Sequence, residues 1–287
     1  MLNNISKACL NRLRSYKPPT TSWYNLPYTR RAAVLILLHP NASGDLNVVL
    51  TLRGSNLSSF SGQAAFPGGK ADFTRESAFA VARREAYEEI GFPLIIDHDR
   101  YVFESLTELP AYLARNWLVV RPCVAFISKK GPGPDSVDLQ ELLSIDTNTA
   151  SEEVAAVFTV PFHKFLSSEQ GWYKGSWQDW SGLRWRQHIF SVPPSSKEDI
   201  VTNGLERNSN QKYPVWGLTA RMLVDSAALA YAQEPEMQYL KKDGDEILIS
   251  EMIDRGELGP KRDRQREMEM RFSDLFGDEF QLLKSRL

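Results

Sequence analysis

Gly68-Gly69-Lys70-Ala71-Asp72-Phe73-Thr74-Arg75-Glu76-Ser77-Ala78-Phe79-Ala80-Val81-Ala82-Arg83-Arg84-Glu85-Ala86-Tyr87-Glu88-Glu89-Ile90-Gly91-Phe92 is the stretch that decides the fold. It predicts a helix over Thr74–Ile90. Thr74 can cap it, Glu76 suits the first-turn dipole, and Gly91 followed by Pro93 stops it. A helix turns each side chain by about 100°, so Glu88 and Glu89 lie about 60° and about 40° to either side of Glu85. Three carboxylates therefore share one narrow face. Like charges so placed repel unless a cation neutralises them, and a hard divalent ion such as Mg²⁺ takes oxygen ligands. Ala78, Val81 and Ala82 supply the apolar surface that the helix buries. Arg84 stands beside the acidic face, where it can orient Glu85 or Glu76. On the carboxylates alone, a solvated acidic face with surface ion pairs is the competing reading.

Upstream, Arg31–His39 and Leu46–Arg53 read as strands joined by the turn Pro40-Asn41-Ala42-Ser43-Gly44, so they should form a hairpin. Downstream, Trp117–Ser128, Val154–Val160 and Trp185–Val192 read as further strands. Trp216–Ala232 reads as a core helix, started at Gly217 by close backbone contact with Trp216 packed. Lys129–Thr149 reads as a mobile insertion, Pro193–Lys212 as a polar linker, and Lys241–Arg271 as solvated or partly disordered helix. Strands interleaved with one strong central helix and one late helix give an α/β (α+β) layered domain.

Composition narrows the function classes. A net charge of −2 argues against bulk attraction to nucleic acid. Two cysteines, Cys9 and Cys123, build neither a zinc site nor a disulfide framework, which suits a reducing compartment. The longest apolar runs, such as Ala32–Leu38, are too short to span a bilayer. The first acidic residue is Asp45, and the segment before it resembles a mitochondrial transit peptide in composition. We read it instead as a short amphipathic helix that packs Ile5, Leu10 and Leu13 and stops before Pro18-Pro19.

From Glu76 onward, Glu76-x7-Arg84-Glu85-Ala86-Tyr87-Glu88-Glu89-Ile90-Gly91-Phe92 resembles the signature box of the Nudix hydrolases. The one departure is that six residues, not five, separate Gly69 from Glu76. The resemblance implies a Nudix-type mixed sheet sandwiched between helices, with the box as loop-helix-loop. It implies that Glu85, Glu88 and Glu89 hold Mg²⁺ or Mn²⁺, that Arg84 orients a carboxylate, and that Glu76 braces the box. The family has no fixed general base, so Glu85, Glu152 and Glu153 are all candidates.

Leu50-Thr51-Leu52-Arg53 and Gly62-Gln63-Ala64-Ala65-Phe66-Pro67-Gly68-Gly69 are similar to the coenzyme A diphosphatase branch of that family, of the fungal peroxisomal type. Arg30-Arg31-Ala32-Ala33-Val34 and Trp216-Gly217-Leu218-Thr219-Ala220 resemble its flanking blocks. Ser58 and Phe60 depart from it, standing where many members have Arg and His. The implied reaction splits coenzyme A or acyl-coenzyme A into 3′,5′-ADP and 4′-phosphopantetheine or its acyl form. Arg53, Gly68, Gly69 and Lys70 are the substrate-binding candidates, with Arg30 and Arg31 as further cations for phosphate. Phe60 and Phe66 suit core packing better than a pocket. NADH, oxidised nucleoside triphosphates and a non-catalytic ligand sensor are the rival readings. The last three residues, Ser285-Arg286-Leu287, are a conservative form of the peroxisomal signal, which makes the import receptor an expected partner and the peroxisome the expected address, ahead of mitochondrion or cytosol. The expected division is an extension over 1–29, the hydrolase domain over 30–232 with its insertion near 129–149, and a charged extension over 233–287.

Overall fold

The computed structural model describes residues 1–54, 62–131, 135–143, 153–194, 199–201, 212–240 and 244–281. In chain order they form α1 (Asn4–Ser15), β1 (Arg31–Pro40), β2 (Leu46–Arg53), β3 (Ala64–Ala65), β4 (Gly68–Lys70), α2 (Ala78–Ile90), β5 (Tyr101–Glu108), β6 (Tyr112–Leu113) and β7 (Val119–Lys129). There follow α3 (Leu139–Leu142), β8 (Val154–Pro161), β9 (Tyr173–Trp180), β10 (Leu183–Val192), β11 (Ile200–Val201), β12 (Tyr213–Trp216), α4 (Gly217–Tyr231), α5 (Glu246–Asp254), α6 (Arg264–Glu269) and α7 (Phe272–Phe276).

The main sheet has the order β11-β8-β2-β1-β7-β5, with β3 beside β2, β4 beside β1 and β6 beside β7. It is mixed, because β1 runs parallel to β7 and antiparallel to β2 and β4. The expected hairpin is present, with Leu38 opposite Val48. The period of two along a strand sorts β1 cleanly. Ile36 and Leu38 join a cluster with α1 and α4, while Leu35 and Leu37 join a second cluster with α2 and α5. The sheet is thus covered by helices on both faces, the mixed α+β sandwich expected. Each fully buried aliphatic side chain contributes about 1.5–3 kcal/mol to holding these layers together. A smaller antiparallel sheet, β12-β10-β9, leads into α4.

Several expectations are corrected. Helix α2 starts at Ala78, not Thr74. Its cap is Ser77, whose side chain accepts from the Ala80 N–H at 3.2 Å. Residues ahead of it fold as a turn, with the Glu76 N–H on the Phe73 carbonyl, because the Glu76 carboxylate is already committed elsewhere. Helix α1 buries Cys9, Leu10 and Leu13 as a packed amphipathic helix should, but Ile5 is 63% exposed. Gly217 is not a close-contact glycine, since a Cβ there would meet nothing within 4 Å. Its φ of +65° is what requires glycine.

The charged segment after α4 is not simply solvated. Leu248, Ile249, Met252 and Phe272 are fully buried in the α2-side cluster. Within the expected mobile insertion, α3 buries Leu139 and Leu142; 132–134 and 144–149 lie outside the described residues. Of the expected polar linker, Ile200 pairs with Val157 in the main sheet.

Two buried histidines make the fold sensitive to acid. Burial lowers His39 to about 4, opposed by its contact with the Pro40 carbonyl. Burial and then the charges of Arg186 and Arg221 lower His188 to about 4. A base whose folded pKa is depressed contributes stability above its unfolded pKa and loses it as pH falls. The loss should therefore run from the ordinary histidine value of 6.5 down to about 4. It should be on the order of 3 kcal/mol per histidine. Urea unfolding midpoints compared between neutral and mildly acid buffer check this, and His39→Asn should flatten the profile. An acid limb equally steep in that variant would assign the loss to other groups.

Candidate active site

Helix α2 buries small side chains, Ala78, Ala82 and Ala86, against the sheet, so its backbone comes close to β4. Glu85 and Glu89 are carried onto the two glycines of that strand. The Gly68 N–H donates to Glu89 Oε2 at 3.0 Å. A Cβ built on Gly69 would lie 2.4 Å from the Glu85 carboxyl carbon, so the loop can lie on this carboxylate only as glycine. Gly68 has φ +153°, and its Cβ would lie 2.4 Å from the Ala33 carbonyl oxygen. The Gly-Gly pair is therefore a steric requirement of the site.

Arg84 organises the other side. Its Nε donates to Glu76 Oε1 at 2.9 Å, and its Nη1 to Glu85 Oε1 at 3.0 Å and Glu88 Oε2 at 3.1 Å. Its Nη2 donates to the Lys70 carbonyl at 2.8 Å. Burial works against its charge, but the bonds and charges of Glu76 and Glu85 outweigh it and raise its pKa. Glu76 is buried and also accepts from the Asp72 N–H at 2.8 Å, tying the extended loop to the helix.

The electrostatics centre on Glu89. Burial pushes its carboxyl up to about 8; the Gly68 N–H and Arg53 oppose this, while Glu85 and Glu153 add to it. Glu85 is raised by burial, against its pairing with Arg84, and further by Glu88 and Asp72. Burial is thus the first cause that raises both neighbouring carboxyls, offset in part by Arg84 at Glu85 and by Arg53 at Glu89. Glu88 is different, with a half-exposed side chain held by Arg84. Among the described residues no three His, Cys, Asp or Glu converge closely enough to enclose an ion as the side chains stand. The donors at the Glu85–Glu89 pair are nonetheless all oxygens, and two like-charged side chains stand close together there, which is the chemistry a hard divalent cation fits.

Arg53 ends β2, where the register with β8 shifts. Its Nε is buried without a hydrogen-bond partner among the described residues. Glu153 reaches the site because its carbonyl accepts from the Gly54 N–H at 2.9 Å. Glu152, Ser58 and Phe60 lie outside the described residues. Lys70 is exposed.

Arg30 and Arg31 do not join this site. Arg30 is buried against Glu267 at 2.5 Å, with the Gly259 carbonyl on its Nε. Arg31 gives its guanidinium to the carbonyls of Leu26, Thr74 and Tyr24. Both are spent inside the fold. Phe66 is a core side chain, as expected.

A family description, NUDIX domain, matches residues 29–180, just over half of the chain and the whole of this site. The chain belongs to the Nudix family. As a member it is a hydrolase of phosphorus anhydrides. Over 264 aligned residues this Nudix chain is 32% identical to peroxisomal coenzyme A diphosphatase 1 of Saccharomyces cerevisiae, covering 77% of the chain and 75% of that protein. It is 31% identical to the mitochondrial Nudix hydrolase 15 of Arabidopsis thaliana, over 72% of the chain and 60% of that protein. It is 36% identical to peroxisomal coenzyme A diphosphatase ndx-8 of Caenorhabditis elegans, over 47% of the chain and 50% of that protein. No helix among the described residues is long and apolar enough to cross a membrane.

Proposed function

We propose that this Nudix hydrolase cuts the diphosphate of coenzyme A or acyl-coenzyme A, giving 3′,5′-ADP and 4′-phosphopantetheine or its acyl form. The observation that carries the reading is the Glu85–Glu89 pair set against the Gly68-Gly69 backbone with Arg53 beside it. Similarity to the yeast and worm coenzyme A diphosphatases supports the choice of substrate. Glu85 and Glu89, with Glu88, would hold Mg²⁺ or Mn²⁺. When bound, the cation offsets the diphosphate charge and polarises its oxygens.

The chain's own groups do the positioning. Arg84 fixes Glu85 through Nη1 and locks the loop through Lys70 and Glu76. Arg53, whose Nε has no hydrogen-bond partner among the described residues, would turn its guanidinium to a phosphate oxygen, a bidentate match. Lys70, exposed on β4, adds a second cation at the rim. Glu153 is exposed and within electrostatic reach of Glu89, and it is our candidate for taking the proton from the attacking water. That water adds to one phosphorus, the bridging P–O bond breaks, and each product leaves as a phosphate monoester. Glu153→Gln is expected to lower kcat by about 10²-fold or more with KM little changed. An unaltered kcat would return the base role to Glu85 or Glu152.

The deciding experiment is a substrate panel with purified protein and Mg²⁺, with products identified by mass. Coenzyme A should show a higher kcat/KM than NADH or nucleoside triphosphates. Arg53→Ala should raise KM for coenzyme A about tenfold, the scale of one charge-assisted contact. If Arg53 meets the 3′-phosphate, the dephospho form will be spared; equal losses on both place it at the diphosphate. Faster turnover of NADH than of coenzyme A would reject the substrate assignment. Import into peroxisomes through Ser285-Arg286-Leu287 belongs to the same proposal; those residues lie outside the described ones.

A further inference from the structure

We propose that the exposed end of the β9–β10 hairpin is a second anion site, one that takes a phosphorylated nucleoside on Trp177, Arg184 and Arg186. It does not rest on which diphosphate the Glu85–Glu89 cleft cuts. The register sets Trp177 opposite Arg186, and Asp179 opposite Arg184. Strand periodicity puts all four on one face. The Arg184 and Arg186 guanidinium carbons lie 4.8 and 5.5 Å from the Trp177 ring centroid. Trp177 is 37% exposed although it is the largest side-chain type.

Arg186 is held in place. Its Nε donates to the Gln238 carbonyl at 3.2 Å and its Nη2 to the Tyr173 hydroxyl at 3.3 Å. Gly175 makes room for this, since a Cβ there would lie 2.1 Å from the Tyr173 hydroxyl and 2.3 Å from Arg186 Nη2. Tyr173 in turn meets His188 Nδ1 at 3.2 Å, and His188 is kept neutral by burial. Arg184 is exposed, and among the described residues no carboxylate or carbonyl accepts from it. Asp179, the acid on this face, has Oδ1 on the Gly182 N–H at 3.1 Å instead.

Opposite charges bonded across the two strands would brace the hairpin. Here two guanidiniums lie over one partly exposed indole, and among the described residues no carboxylate is bonded to either. Guanidiniums suit phosphate oxygens, and an indole face suits a base, a stack worth about 1–3 kcal/mol. A lipid phosphate would engage the guanidiniums alone and make no use of the exposed part of the indole.

Intact metal-free protein titrated with 3′,5′-ADP, adenosine and inorganic phosphate, read by calorimetry, tests the site. The expected result is saturable binding of 3′,5′-ADP, at least about tenfold tighter than either fragment. Arg184→Gln and Trp177→Ala should each weaken it about tenfold or more, with unchanged circular dichroism. Arg184→Lys, which keeps the charge and loses the fork, should fall between. Should Trp177→Ala fail to fold, the arginine variants decide alone. Loss of binding in Arg53→Ala but not in Arg184→Gln would place the nucleotide in the catalytic cleft and overturn the site. So would binding to phosphatidylserine vesicles in place of the nucleotide.

Discussion

Glu89→Gln is expected to lower kcat by about 10³-fold, the scale of losing a principal charge-stabilising group, while raising the thermal midpoint of the metal-free protein. The two effects have one cause. Glu89 is 9% exposed, and burial first, with Glu85 and Glu153 after it, pushes its carboxyl up to about 8. A carboxyl whose folded pKa is raised contributes stability that is complete below its ordinary value and is lost as pH rises through the folded one. The wild-type protein should therefore lose stability between the ordinary 4.5 and about 8. The glutamine variant should not, since an amide keeps an acceptor for the Gly68 N–H without the charge. Melting curves of both proteins with chelator present check it. Near about pH 5 the midpoints should agree, and near about pH 8 the variant should melt a few degrees higher. Excess Mg²⁺ should raise the wild-type midpoint and leave the variant's where it was. Equal midpoints at both pH values, or near-normal turnover, would remove Glu89 from the centre of the site.

What could be read from the sequence followed from strong local patterns. The β1–β2 hairpin was legible because two apolar runs flank a turn with glycine, and the end of α2 because Gly91 takes φ +65°. The start of α2 was not legible. Thr74 and Ser77 are both good caps, and the choice depends on Glu76 reaching Arg84, a contact across a turn. Strand β9 escaped because most of its residues are half-buried or exposed, which leaves no alternation to detect. The segment 241–271 misled through its charge. Inside it, Ile247-Leu248-Ile249 and Met252 carry a short apolar face, and three of these four side chains are fully buried. Arg30 and Arg31 misled in the opposite sense, because a basic pair beside a phosphate-type motif does not reveal that Glu267, far away in sequence, will claim one of them. Glu153 was within reach of inspection but without a distinguishing signal, since only the β2–β8 pairing brings it to Glu89.

Gly68→Ala and Gly69→Ala should separate stability from catalysis at adjacent positions. At Gly69 an added methyl would stand 2.4–2.5 Å from the three carboxyl atoms of Glu85. Those atoms are the far end of a flexible side chain, so the fold can yield by swinging Glu85 aside at a cost of about 1 kcal/mol or less. The swing breaks the bond from Arg84 Nη1 and takes a carboxylate from the site. The expected result is a thermal midpoint close to wild type with kcat down about 10²-fold, the usual consequence of displacing a catalytic group by an ångström or so. At Gly68 the methyl would meet backbone instead, 2.4 Å from the Ala33 oxygen and 2.6 Å from the Val34 Cα, at a φ of +153°. Nothing there can swing away. Strand β4 must shift off β1, losing the register Val34↔Gly68, at a cost of about 2–4 kcal/mol. The Gly68 N–H would also leave Glu89, so activity should fall with stability. Denaturant midpoints and kcat measured on the two variants decide the matter. Gly69→Ala with full activity would mean that Glu85 works from a different rotamer than the one lying on β4, and the role of the Gly-Gly pair would then rest on Gly68 alone.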